Sequence, residues 1–147
     1  MLKILVVDDH PIVRQGLMRI IEDTHDMIVE DEADNGADAL NKVQKKDYDL
    51  ILLDITMPTM NGIEAMGIMI AEKSCGRVII LSSHTHKRFI DTAINGGAMG
   101  YVLKSCVFED LYNAIKAAAA DNLFVSPQTG ISISEYKKRK PNSTEPG

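Results

Sequence analysis

The stretch LVVDDH, residues 5–10, runs three apolar residues straight into two adjacent carboxylates, Asp8 and Asp9. Like charges side by side repel, and burying either is costly unless something pairs with it. The run ends either in a solvated turn or at a place where acids have chemistry to do. Three more apolar runs bear on the choice. LILLD (50–54) ends in Asp54, VIILS (78–82) in Ser82 and GYVLK (100–104) in Lys104. Each is short, rich in Val, Ile and Leu, and free of polar alternation, as expected of parallel strands covered on both faces. A weaker run, MIVEDEA (27–33), has the mixed pattern of an edge strand.

Helical periods separate these runs. In PIVRQGLMRIIED (11–23), Val13, Leu17, Ile20 and Ile21 share a face, and Pro11 suits a first helical turn. GADALNKVQKK (36–46) aligns Ala39, Leu40 and Val43. NGIEAMGIMIAEK (61–73) follows, then HKRFIDTAING (86–96), which ends in a Gly96-Gly97 stop signal. VFEDLYNAIKAAAAD (107–121) is Ala-rich, so propensity and pattern agree. Strand then helix, five times over, predicts an α/β fold: a doubly wound, five-stranded parallel sheet with helices on both faces. Ligands in such sheets bind outside the carboxyl ends of the strands. Asp8, Asp9, Asp54, Ser82 and Lys104 all fall on that one rim.

The bulk composition sets the frame. At 147 residues the chain is one ordinary domain, and it contains no apolar run long enough to span a membrane. Two cysteines, Cys75 and Cys106, make no disulfide framework, and the start carries no secretory pattern, so a cytoplasmic location is expected. The net charge is −5, but the KKRK run (137–140) masks a stronger imbalance. Residues 1–136 hold 12 Lys and Arg against 20 Asp and Glu. An acidic body is a poor match for a nucleic-acid backbone and a reasonable one for a cation. The ordered unit is expected over 1–125, with 126–147 a linker or solvated, largely disordered tail.

Three carboxylates on one rim need positive charge. A hard divalent ion such as Mg2+ takes oxygen ligands, keeps several waters and uses one or two carboxylates. Lys104 adds a compact cation on a flexible stem. A carboxylate beside Mg2+, a lysine and a hydroxyl is equipped to accept a phosphoryl group as an acyl phosphate. Taken singly, these residues have plain readings as turn acids, a polar cap and a solvated lysine. Their agreement across independent strand ends favours the chemical one. Of the four histidines, His10, His84 and His86 form no zinc signature and read as surface or rim residues. Cys106 reads as a quiet thiol.

The marks VVDDH, LLDITMPTMNG, ILSSH and GAMGYVLKS, in this order, resemble the receiver domain of two-component response regulators over roughly residues 2–125. DDHPIVRQGL and MNGIEA look most like the NarL/FixJ (LuxR-type) branch. The resemblance implies the flavodoxin-like receiver fold and assigns roles by position. Asp54 is the phosphoacceptor. Asp8 and Asp9 are the acidic pair at the Mg2+ site, Asp9 the more direct ligand, and the Thr56 carbonyl a further one. Ser82 is the switch hydroxyl, Lys104 the phosphate-pairing lysine and Tyr101 the rotating switch aromatic. Thr56 and His84 sit where the family tunes dephosphorylation. The implied partner is a histidine kinase, with a homodimer on phosphorylation and DNA reached only through a helix-turn-helix domain absent from this chain. No cofactor other than the metal is implied, and the chain is expected to be a signalling domain rather than an enzyme.

Two other classes compete. An aspartate-nucleophile phosphatase also sets an Asp at a strand end beside Mg2+. It usually needs an acid two residues later, where this chain has Thr56. A phosphorylation-independent docking module would keep the fold without the switch, against which stand Asp54, Ser82 and Lys104. No glycine-rich phosphate loop follows the first strand, which disfavours a nucleotide-binding enzyme.

Overall fold

The computed structural model describes residues 1–55, 62–72 and 77–136. Strands and helices alternate: β1 (Leu2–Val7), α1 (Pro11–Glu22), β2 (Met27–Ala33), α2 (Gly36–Lys45), β3 (Leu50–Asp54), α3 (Gly62–Ala71), β4 (Val78–Ser82), α4 (Lys87–Asn95), β5 (Gly100–Leu103) and α5 (Val107–Ala119). A short strand, β6 (Phe124–Val125), follows. All pairings are parallel, in the order β2-β1-β3-β4-β5-β6.

The period-2 alternation of each strand sorts its side chains into two cores. Ile4, Val6, Leu50, Leu52, Ile79, Leu81 and Val102 face α1 and α5, where they meet Leu17, Ile21, Leu111 and Ile115. Leu5, Val7, Ile51, Leu53, Ile80, Tyr101 and Leu103 face α2, α3 and α4, where they meet Val43, Met66, Met69 and Ile94. Both faces are dry, which is why these strands read as unbroken apolar runs. β2 lies at the edge, and its acids reach out to cations and hydroxyls: Lys46 lies 3.1 Å from Asp31 and 3.5 Å from Glu30, and the Tyr48 hydroxyl donates to Asp31.

The sheet has one strand more than the five expected. β6 is only two residues long, too short to show a period. It pairs Phe124 with Gly100 and Val125 with Tyr101. Ordered packing also continues past residue 125. Ser126 and Tyr136 are buried, and Ile131 and Ile133 pack partly buried against the core that includes Ile90 and Ile94. The pattern of this stretch hides the packing, because its apolar residues are single and spaced by turn formers. Residues 137–147, with the KKRK run, lie outside the described residues, as does Cys75.

In this strand order β1 is flanked by β2 and β3, so the connections after β1 and β3 leave in opposite directions. The crevice between their carboxyl ends is the topological switch point, where α/β sheets bind ligands.

Candidate functional site

Asp8 follows the last residue of β1, and its N–H stays in the sheet by donating to the Ala33 carbonyl at 3.1 Å. Its side chain is fully buried. Two neighbours orient it. The His10 N–H donates to Asp8 Oδ1 at 2.9 Å, a tight loop closed by the entry to α1. The Arg14 guanidinium, one turn into α1, donates to the Asp8 carbonyl and lies 2.9 Å from Glu32 on β2. Pro11 opens α1 without needing a hydrogen-bond acceptor, while the His10 ring turns back to the acids instead of capping the helix.

Asp54 is the last residue of β3, in register with Leu81 of β4, and is likewise fully buried. Lys104 leaves β5 one residue after Leu103 and stretches over the crevice. Its Nζ lies 3.1 Å from Asp54 Oδ1 and 3.5 Å from Asp8 Oδ2. Asp9 is half-buried, with Oδ1 at 2.9 Å from His10 Nδ1. One ligand atom from each of Asp8, Asp9, His10 and Asp54 can be chosen so that all lie within 4.8 Å of one another. At that separation two like charges repel by on the order of 3 kcal/mol, taking the effective dielectric constant as about 20.

One lysine does not balance three carboxylates. Asp8 Oδ2 is buried, accepts no hydrogen bond among the described residues and faces only the Lys104 ammonium at the longer distance. An acidic, incompletely satisfied crevice whose buried donors are carboxylate oxygens fits a hard divalent cation. His10 belongs to this group too. Its ring is 62% exposed, so it is the rim residue the sequence suggests, yet Nδ1 touches both Asp8 and Asp9. Arg14 and His10 are the contributors that sequence reasoning missed. The only sequence signal was their place at the start of the helix that follows Asp9.

Gly62 is a third structural requirement. A Cβ there would stand 2.2 Å from the Asp54 carbonyl oxygen, while the Gly62 N–H donates to the Ile55 carbonyl at 3.0 Å. The start of α3 is thus pressed against the backbone of Asp54, which only glycine permits. The NG pair in TMPTMNG is its signal. Thr56 lies outside the described residues.

Ser82 ends β4, fully buried, in register with Leu103. Its Oγ accepts the His84 N–H at 3.0 Å. Tyr101 is also fully buried, and its hydroxyl donates to the His84 carbonyl at 2.8 Å. Burial pushes the Tyr101 phenol above its ordinary value, and a hydrogen bond with the Ser82 hydroxyl opposes that shift. The His84 ring stacks on Phe89 of α4 at 4.1 Å, and Arg88 lies over the same Phe89 ring. His84 is thus a junction between Ser82, Tyr101 and α4. The structure therefore gathers Asp8, Asp9, Asp54 and Lys104 into one crevice, with Ser82 on the next strand and Tyr101 linked through His84. Cys106 is buried, with its thiol donating to Gln128 Oε1 at 3.1 Å. Among the described residues no helix is long and apolar enough to cross a membrane.

Comparison with known proteins agrees with this geometry. Residues 4–116 match the response regulator receiver domain family. The nitrate/nitrite response regulator protein NarL of Escherichia coli (strain K12) is 39% identical over 123 residues, 84% of this chain and 57% of that protein. The transcriptional regulatory protein DegU of Brevibacillus brevis is 32% identical over 138 residues, 93% of this chain and 58% of that protein. The chain thus spans under two thirds of the length of these relatives. Among solved structures, a LuxR-family two-component response regulator from Aurantimonas sp. SI85-9A1 superimposes with a TM-score of 0.84 at 34% identity, covering 95% of this chain and 99% of that one. The receiver domain of NarL from Mycobacterium tuberculosis gives 0.76 at 30% identity, covering 81% and 96%.

Proposed function

Because the chain belongs to the response regulator receiver domain family, in its NarL/FixJ branch, we propose that it is a phosphorylation-controlled switch whose Asp54 accepts a phosphoryl group from a histidine kinase. The observation that carries this reading is the fully buried Asp54 carboxylate, 3.1 Å from the Lys104 ammonium within a cluster of acids.

In the transfer, an Asp54 carboxylate oxygen attacks phosphorus, a P–O bond forms, the P–N bond to the kinase histidine breaks, and the imidazole leaves. Lys104 releases part of its hold on Asp54 and pairs with the phosphoryl oxygens as charge moves onto them. Asp8, Asp9 and Asp54, with the Thr56 carbonyl, would hold Mg2+. When bound, the ion offsets the charge of the phosphoryl oxygens and orients them. Arg14 and His10 fix the Asp8 backbone and carboxylate in place. Ser82 turns its hydroxyl from the His84 N–H towards the new dianion, and Tyr101 repacks with the β4–α4 connection. Water attack at phosphorus later restores the carboxylate, and Thr56 and His84 tune that rate.

The changed face of α4, β5 and α5 carries the signal onward. The output is transcription through a DNA-binding domain outside these residues, reached in the cytoplasm, with homodimer formation on phosphorylation. Ile12 on α1 and Phe108 on α5, 81% and 83% exposed, flank one groove and supply an apolar face for a second copy. Arg19 and Asp23 line the same groove with opposite charges.

The test is intact mass after incubation with acetyl phosphate, with and without Mg2+, for the wild type and Asp54→Asn. A Mg2+-dependent gain of one phosphoryl group, absent in the variant, is expected. No adduct on folded protein that binds Mg2+ would overturn the reading.

A further inference from the structure

The chain stays fastened to the domain after β6. The Ser126 N–H donates to the Tyr101 carbonyl at 2.9 Å, and its buried Oγ accepts the Leu103 N–H at 3.0 Å. Leu103 is the residue before Lys104. A 3-10 turn follows over Pro127–Thr129, closed by the Thr129 hydroxyl donating to the Ser126 carbonyl at 2.8 Å. Gly130 then reverses the chain in the left-handed region, at φ 75°. Ile131 and Ile133 pack partly buried against the core that includes Ile90 and Ile94. A second 3-10 turn, Ile133–Glu135, delivers Tyr136. Its ring is buried, and its hydroxyl donates to Asp91 Oδ1 on α4. Lys87 of α4 lies 3.0 Å from Asp91 and 3.3 Å from Glu135.

Residues 126–136 are therefore held at two places, and both belong to the switch. One is β5, between Tyr101 and Lys104. The other is the first half of α4, whose Phe89 stacks on His84, the residue that binds Ser82 and Tyr101 through its backbone. A plain structural extension would need contacts only with the sheet. The grip on α4 is different: the Tyr136 phenol holds Asp91, and Glu135 forms one ion pair with Lys87. A segment with so few buried contacts opens locally at small cost.

We propose that residues 126–136 form a strap that couples the phosphorylation state of Asp54 to the path of the chain beyond residue 136. The inference rests on the phosphorylation reading above. When Ser82 turns to the phosphoryl group, the His84 N–H loses its acceptor. The His84–Phe89 stack and the first turns of α4 shift, and Tyr136 loses Asp91. The bond to β5 through Ser126 stays closed, so the strap swings from a fixed root. A chain that continues past Tyr136 then changes its exit from the domain.

Hydrogen–deuterium exchange on the full chain tests this, with and without acetyl phosphate and Mg2+, and with intact mass taken on the same samples. On phosphorylation, exchange is expected to rise several-fold over 131–136 and the first half of α4, but not at Leu103 or Ser126. Tyr136→Phe removes only the hydroxyl. It should show the raised exchange at 131–136 without phosphorylation, respond little further, and take up the phosphoryl group as the wild type does. A full adduct with unchanged exchange over 131–136 would overturn the strap and leave the phosphorylation reading standing. Unchanged exchange in Tyr136→Phe would do the same. No adduct would overturn both.

Discussion

The crevice between β1 and β3 and the latch on α4 use nearly the same parts, and they do opposite things. The crevice sets Asp8, Asp9 and Asp54 against Lys104, with Asp8 and Asp54 fully buried. The latch sets Asp91 and Glu135 against Lys87, with Tyr136 donating, all near solvent except the tyrosine ring. In the latch each acid has a partner, and water screens what remains. In the crevice three carboxylates meet one lysine among the described residues, and burial magnifies the imbalance. Excess acid in a buried place marks chemistry, while the excess acid of the latch, each carboxylate partnered and open to water, marks a fastening.

The largest expected break comes from Asp54→Asn. It removes the acceptor while keeping the shape, so phosphoryl uptake from acetyl phosphate should vanish by intact mass. The crevice should also bind Mg2+ less tightly by titration calorimetry.

Asp8→Asn sharpens the comparison, because it should help stability and harm binding at once. It relieves repulsion within the acidic cluster and keeps an oxygen to accept the His10 N–H. Metal-free protein should gain roughly 1–2 kcal/mol in urea unfolding, part of the repulsion between neighbouring charges. Mg2+ affinity should fall by about tenfold or more, the loss of one carboxylate from the donor set. A loss of stability without metal would contradict the idea of an overcharged crevice.

Gly62→Ala attacks the same site through its backbone. The added Cβ meets the Asp54 carbonyl oxygen at 2.2 Å, so strand or helix must move. A cost of roughly 1–3 kcal/mol, typical of overpacking, is expected together with slower phosphoryl uptake. The smallest effect belongs to the latch. The hydrogen bond from Tyr136, and next the one from Lys87, hold the Asp91 carboxyl below its ordinary value of 3.8. A carboxyl depressed in the folded state contributes stability above its ordinary value and loses it as pH falls through the folded one. Exchange over 131–136 should thus stay flat from neutral pH down to about 4 and rise only below it, once corrected for intrinsic rates.

The crevice was legible in the sequence because burial on both faces makes parallel strands uniformly apolar. Against such runs Asp54, Ser82 and Lys104 stand out as ends, and the strand-end rule gathers them on one rim. The latch was not legible. Ile131, Ile133 and Tyr136 are single apolar residues among Ser, Gly and Glu, and the core they pack against is built from elements much earlier in the chain. β6 escaped because two residues cannot show a period. His10 and Arg14 escaped for another reason. A helix-start histidine and a helix arginine look solvated until the fold returns them to Asp8. Ser82 and Tyr101 were singled out, but their meeting at His84 needed the structure, since that residue acts through its backbone.

On the proposed reading the buried acid at the end of β3, and neither of the two that follow β1, takes the phosphoryl group. Acyl phosphates are reduced by borohydride to alcohols, which turns a phosphorylated aspartate into homoserine. Tandem mass spectrometry after acetyl phosphate, Mg2+ and borohydride should find homoserine at position 54 alone. Homoserine at position 8 or 9, or a phosphoryl gain that leaves position 54 as aspartate, would contradict the account.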